Sequence, residues 1–290
     1  MKYHFISGQR SAHRVEKMAR VLGVTRSGYY AWVDSEPSAH EVQDQKLVAC
    51  IGEIQKKVKH RYGSPRMTRE LRRRGWQVGH NRVARLMQEK GLGARVKKAF
   101  RVTTKSNHGL PVEQNMLGRQ FAVAAANRVW VSDISYVATA EGWLYLCVIL
   151  DLYSRRVVGW SMGNGLGTKL VIAAFMMAVL RRQPPRRLVF HSDRGVQYCA
   201  KAFRRRTRTW GMQQSMSRKG DCWDNACAES FFKSLKAELI GRQIFATREG
   251  ARAAIFEYIE VFYNRQRLHS YLDYCTPAEF EEGLGTKVAS

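Results

Sequence analysis

The stretch VWVSDISYVATAEGWLYLCVILDLYSRRVVGWSM, residues 129–162, decides the fold class. Three runs rich in Val, Ile, Trp and Tyr, namely Val129 to Tyr136, Trp143 to Asp151 and Arg156 to Met162, are parted by short polar gaps, which is the pattern of a three-stranded meander. The middle run is almost continuously apolar, as a buried strand requires. Further along, strands and helices alternate. Thr168 to Arg182 reads as a long apolar helix stopped by Pro184 and Pro185, Arg187 to His191 as a short strand, Ala200 to Thr209 as a basic helix, and Met212 to Met216 as another strand. A helix through ACAESFFKSLKAE follows a Gly-containing loop. Together these elements predict an α/β region over 128–290, a mixed five-stranded sheet with flanking helices.

Upstream, residues 1–95 read as all-helical. In SAHRVEKMARVLGVTRSGYYAWV, residues 12–34, an apolar stripe (Val15, Met18, Ala19, Leu22) is broken by Gly23 and restarted behind Thr25 or Ser27, either of which can cap a helix. This predicts a helix-turn-helix whose second helix offers Arg26, Ser27, Tyr29 and Tyr30 to DNA, with an ordinary helical hairpin as the alternative. A second helical unit is expected over 45–95, with helices near Lys46 to Lys59, Met67 to Arg74 and Asn81 to Lys90, the last capped by Asn81. Arg82 and Arg85 would lie on its open face and, with Arg72, Arg73 and Arg74, form a phosphate-binding surface. Periodicity fades over 96–127, read as a connector.

Composition narrows the function. The net charge of +25 and pI near 10.2, supplied mostly by Arg, point to a polyanionic partner. The excess is larger in residues 1–110, with 24 Lys and Arg against 8 acids, than in residues 111–290, with 25 against 16. The longest apolar stretch, Leu170 to Leu180, holds eleven residues, and a membrane-spanning helix needs roughly twenty, so no membrane partner and a cytoplasmic, soluble protein are expected. Six scattered cysteines form no CxxC pair and suggest neither zinc nor a disulfide framework.

Three acids stand out in this acid-poor chain: Asp133 on the first predicted strand, Asp193 just beyond the fourth, and Glu229 on the later helix, with 35 residues between the second and third. Strand ends of open α/β sheets are where ligands bind, so the three can converge. Carboxylates suit Mg2+ or Mn2+, and two such ions roughly 3.5 to 4 Å apart can stabilise both the attacking and the leaving oxygen of a phosphodiester displacement. Taken singly, each acid has an ordinary role: a strand-end hydrogen-bond partner, a turn-forming Asp before Arg194-Gly195, or a helix-surface pair with Lys233. Lys236 lies seven residues beyond Glu229, on the same helix face, where it can meet DNA. Asp151 is a possible fourth acid, although pairing with Arg155 or Arg156 suits it better, and His191 and His269 read as packed residues before ligands.

The blocks VWVSDISYV, YLCVILDLYSRRVVGW, HSDRGVQY, DNACAESFFKSLKAE and YNRQRLHSYLDYCTPAEF resemble the catalytic core of the insertion-sequence-three family of bacterial transposases, itself similar to retroviral integrases. Upstream, VLGVTRSGYYAW and RYGSPRMTRELRRRGWQVGHNRVARLM resemble the first part of that family's second-frame protein, so the likeness runs from about Val15 to Phe280. It implies a ribonuclease H-like core with Asp133, Asp193 and Glu229 as the catalytic, metal-holding acids and Lys236 as the basic residue after the Glu. It also implies two Mg2+ (or Mn2+) ions and cleavage and strand transfer at element ends. DNA contacts at Arg194, Arg26, Tyr29, Arg82 and Arg85, a homo-oligomer on paired ends, and fusion with or binding to an upstream-frame protein complete the expectation. Two departures stand out: Ser64 to Met67 replaces a more usual aromatic-basic segment, and Asp273 stands where Gly is common. The competing readings are a noncatalytic DNA-binding regulator or inactive element remnant, and a ribonuclease H-like nuclease.

Overall fold

Five strands form one sheet in the order β3-β2-β1-β4-β5: β1 (Val129–Thr139), β2 (Gly142–Asp151), β3 (Val157–Gly163), β4 (Val189–Ser192) and β5 (Gln213–Met216). The computed structural model describes residues 1–36, 38–94, 111–218, 222–241 and 244–283. The first three strands pair antiparallel, as their short connections require, whereas β4 and β5 join parallel to β1 through helical crossovers. This is a ribonuclease H-like mixed sheet. Trp130 to Thr139, covering most of the predicted first strand and its extension, stay in register with β2, so Asp133 faces Val148 across the ladder.

One face of the sheet is covered by a long helix (Thr168–Arg182), with the helix Lys201–Thr209 beside it. Trp130, Ile149, Val158, Phe175, Phe190 and Phe203 meet there in a closed core. The approach of that long helix to β3 is close enough that a Cβ on Gly159 would sit 2.4 Å from the Ala174 carbonyl oxygen and 2.8 Å from the Ala178 nitrogen. Only Gly fits that crossing.

The helical region divides differently from the expected 1–95 boundary. Compact units meet at Glu53/Ile54, inside a long helix, so the second helical unit groups with the sheet and not with the first helices. In chain order the helices of this region are α1 (Lys2–Gln9), α2 (Val15–Leu22), α3 (Arg26–Val33), α4 (Ala39–Lys57), α5 (Ser64–Arg73) and α6 (His80–Glu89). Within residues 1–53, Gly23 ends α2 in the left-handed conformation and the Thr25 hydroxyl caps α3 by accepting from the Gly28 N–H at 3.1 Å. Ile6, Met18, Ala19 and Tyr29 form the core there, with Tyr3 and Trp32 packed against it.

The second unit holds α5 and α6 by side chains that reach far along the chain. Leu268 N–H donates to the Tyr62 hydroxyl, which in turn donates to the Gln266 carbonyl, and Arg66 donates to the Leu268 carbonyl at 2.9 Å. Arg61 stacks on Phe262, 4.5 Å from the ring centroid, and Arg73 pairs with Glu279. The Ser64 to Met67 departure is the start of α5: Pro65 occupies its first turn, Arg66 makes the contact just given, and Met67 is buried. Asp273 has φ +53, a left-handed backbone that explains why Gly is common at that position and why the short Asp is tolerated. Gly79, not Asn81, stands at the N-cap of α6. Residues 96–110 of the expected connector lie outside the described residues, and 111–127 carry no regular element.

Candidate active site

Asp133 sits in the middle of β1, and β1 pairs with β4 so that Ser132 lies beside Ser192. The residue after each of these serines is an acid, so the register sets Asp133, within β1, beside Asp193, just past the end of β4. Asp193 then turns the chain: its Oδ1 accepts the Gly195 N–H at 2.9 Å, as the Oδ1 of Asp133 accepts the Ile134 N–H at 2.8 Å. Glu229 comes from the first turn of helix α10 (numbering the three sheet-region helices Thr168–Arg182, Val196–Cys199 and Lys201–Thr209 as α7 to α9), which spans Ala226–Leu235. It is exposed, and among the described residues no hydrogen bond or ion pair engages it.

The electrostatics of Asp133 record the convergence. Burial of its carboxylate by surrounding protein, then the negative charges of Asp193 and Glu229, push its pKa up to about 8, against the pull of the Ile134 N–H and of the Lys236 ammonium. Partial shielding by the surrounding protein also raises the pKa of the Glu229 carboxyl. Lys236 begins a wider π-helical turn, Lys236–Ile240, that continues α10, and its ammonium lies 5.7 Å from the centroid of the Tyr136 ring on β1. Among the described residues no three His, Cys, Asp or Glu side chains form a ready-made metal cage. The donor set nonetheless fits a divalent cation: hard carboxylate oxygens from three segments, with a mutual repulsion at Asp133 that a cation relieves.

Next to the acids the strands are pinned. The Ser132 hydroxyl donates to the Val148 carbonyl at 2.9 Å and lies 2.8 Å from the Tyr198 hydroxyl, all three buried. His191 is enclosed between the hydroxyls of Ser215 and Ser217, and burial lowers its pKa to about 4, so it is a packed neutral residue. His269 is likewise buried, with its pKa held low by burial and by Arg267. Asp151 is structural. It accepts the Asn127 N–H, the Tyr153 N–H and the Trp130 indole N–H, and its ion-pair partner is Arg182 at 3.7 Å and not Arg155 or Arg156.

Two groups that the residue pattern alone does not single out organise the entry to α10. Asp224 is fully buried and accepts from Arg218 through both backbone and guanidinium, from Arg119 and from the Asn115 amide. Asn225 donates to the Ser132 carbonyl on β1 at 3.1 Å. Glu238 and Arg267 form a third, buried pair at the far end of the same helix, joined by Arg66 of α5 and the Tyr258 hydroxyl.

The residues expected to meet DNA are placed unevenly. Arg26 is exposed at the start of α3, but Tyr29 is only 1% exposed. That corrects its assignment: its ring is packed against Tyr3, Tyr30 and Trp32 and cannot reach a duplex. Arg85 is exposed and pairs with Glu89 one turn on, while Arg82 is half-buried. Arg194 donates to the Ser217 carbonyl at 2.7 Å, tying the turn after β4 to the exit of β5. In the α5 run, Arg72 donates to the Val78 carbonyl, Arg73 pairs with Glu279 and Arg74 with Glu70, so much of this surface charge is neutralised within the chain. Asn264 clamps both backbone groups of Val157, which makes its segment part of the closure of the core.

Sequence relatives agree with this architecture. A transposase InsF for insertion sequence IS3A from Escherichia coli (strain K12) is 41% identical over 283 residues, 97% of this chain and 98% of that one. The chain belongs to the insertion-sequence-three (IS3) family of transposases. An insertion element IS600 uncharacterized 31 kDa protein from Shigella sonnei is 46% identical over 265 residues, 91% of the transposase described here and 97% of that relative. Family models described as integrase core domains match residues 123–222 and 229–283, and one described as an HTH-like domain matches residues 42–100. The HTH-like match falls on α4 to α6 and not on α2 and α3. Among solved structures, the HTLV-2 integrase catalytic core domain in complex with magnesium is similar at TM-score 0.42 and 15% identity, covering 54% of this chain and 97% of that one. No helix of the described residues is long and apolar enough to cross a membrane.

Proposed function

We propose that this transposase cuts and rejoins DNA at the ends of an insertion sequence with Asp133, Asp193 and Glu229 as its catalytic acids. One observation carries the proposal: the β1–β4 register sets Asp133 beside Asp193, and α10 brings Glu229 near enough that both charges add to the rise that burial gives the Asp133 pKa. In a chain of net charge +25, acids left to repel one another cost stability and are retained for chemistry. The same acids would hold two Mg2+ or Mn2+ ions, which supply activation of a water or 3′-hydroxyl nucleophile and stabilisation of the departing oxygen.

The protein's own part is positional. The β1–β4 register fixes Asp133 and Asp193 relative to each other, and α10 presents Glu229 beside them. Lys236, held over Tyr136, places a cation beside the acids where a DNA phosphate can be met. Arg194, Arg26, Arg82 and Arg85 are further phosphate contacts in this proposal, which also includes action as a multimer on paired ends together with the upstream-frame protein.

Cleavage of end-containing and scrambled duplexes at matched salt, with Mg2+, tests the proposal. Glu229→Gln keeps the shape and removes the charge, so a loss of cleavage of at least roughly 100-fold is expected while DNA binding persists. Unchanged cleavage in Glu229→Gln sinks the acid assignment, and equal cutting of both duplexes favours a general nuclease.

A further inference from the structure

We propose that Asn225 is a positioning residue that sets Glu229 against Asp133; this rests on the acid assignment just given. Asn225 stands at the N-cap of α10, a place where Asn ordinarily accepts a hydrogen bond from its own helix, yet its side chain caps nothing. Its amide Nδ2 instead donates across 93 residues to the carbonyl of Ser132, the residue immediately before Asp133. Ser132 is itself immobilised by the Val148 carbonyl and the Tyr198 hydroxyl, and it lies in register with Ser192, the residue immediately before Asp193. The amide therefore grips the part of β1 that carries the first acid and neighbours the second.

Helix geometry passes that grip to the third acid. Residues four apart share a helix face, so the side of α10 that meets β1 through Asn225 carries Glu229 one turn on. The preceding residue, Asp224, is anchored by Arg218, Arg119 and Asn115, so the helix enters along a path fixed from two sides. A second observation sets Asn225 apart from a packing residue. It is 5% exposed, and its Oδ1 is buried with no hydrogen-bond partner among the described residues. A buried acceptor without a donor lowers stability, which marks a group kept for something other than stability.

Manganese binding by the full chain, read as loss of the free-ion electron paramagnetic resonance signal, tests this independently of turnover. Asn225→Ala removes the grip, and Asn225→Ser keeps a cap-forming residue that is too short to reach Ser132. Both are expected to remain folded by circular dichroism and to bind Mn2+ roughly 10- to 100-fold more weakly, the usual cost of losing a group that orients a ligand. Cleavage should recover part of its rate as Mn2+ is raised. Folded variants with the parent's Mn2+ affinity overturn the proposal, and so does loss of the folded state in both, which would assign Asn225 to the core. Glu229→Gln separates the two readings. Mn2+ binding by the parent that does not depend on Glu229 overturns the acid assignment and the role of Asn225 with it, whereas Glu229-dependent binding with normal Asn225 variants overturns only the latter.

Discussion

Replacing Glu238 by Gln should strongly destabilise the second unit. Its side chain is 5% exposed and accepts from Arg267 through Nε and Nη2 at 2.8–3.1 Å, from Arg66 at 3.2 Å and from the Tyr258 hydroxyl at 2.8 Å. The Arg267 side chain is 7% exposed, so the substitution leaves a buried guanidinium without its counter-charge. Breaking a buried pair from one side costs about 3–5 kcal/mol. At roughly 2–4 °C per kcal/mol for a unit of this size, even the lower figure lowers the melting temperature by about 6–12 °C. The pH dependence carries a sign of its own. Burial alone would raise the Glu238 carboxyl, but Arg267 and Arg66 outweigh it and its pKa falls below the ordinary value of 4.5. The stabilisation is therefore present above the unfolded pKa and lost as pH falls through the folded one. Calorimetric melts of parent and variant between pH 7 and pH 3 should diverge most at neutral pH and converge in acid. A Glu238→Gln melt within about 1 °C of the parent at pH 7, or a gap that widens in acid, refutes this account of the network.

Two further outcomes follow from the burial pattern. Tyr29→Ala removes a ring from a core of few residues and should cost roughly 3–5 kcal/mol, enough to expose residues 1–53 to limited proteolysis. Arg26→Ala, on the exposed side of the same helix, should leave that protection intact, and equal protection in the two variants contradicts the placement of Tyr29. Asp151→Asn replaces a fully buried carboxylate that Arg182 and three N–H donors hold, so a loss of about 1–3 kcal/mol in stability is expected. Its Mn2+ affinity should match the parent; a weakened affinity would return Asp151 to the set of metal-holding acids.

The sheet was legible because its signals are local. The short gaps in residues 129–162 favour antiparallel neighbours, and the helices after β3 allow parallel ones, so a mixed sheet follows from connection chemistry. The elements that carry the acids, a first strand for Asp133, the turn after a fourth for Asp193 and a later helix for Glu229, are legible for the same reason. Tyr29 was misread because an aromatic on a presumed recognition helix looks alike in sequence whether it faces solvent or a core, and only the presence of α1, with Tyr3 at its start, decides. Arg73 reads as open charge because the partner that engages it, Glu279, lies far beyond local sequence. Asn225 had a readable trace, an amide four residues before the third acid, but the strand it grips lies 93 residues away.

Those long-range partners also tie α5 to the catalytic region. Arg66 near the start of α5 and Glu229 on α10 are linked by a short path: Arg66 meets Glu238, and Glu238 lies in the π-helical turn that continues α10. At the other end of α10, Asn225 grips the Ser132 carbonyl of β1. One helix thus joins the HTH-like segment to the acid cluster, with an ion pair at one end, an amide at the other, and the third acid and Lys236 between them. Weakening the ion-pair end should loosen the placement of Glu229 as well as α5. Glu238→Gln should therefore raise the Mn2+ requirement of cleavage at temperatures well below its melting point, and an unchanged requirement there would show the two ends of α10 to be independent.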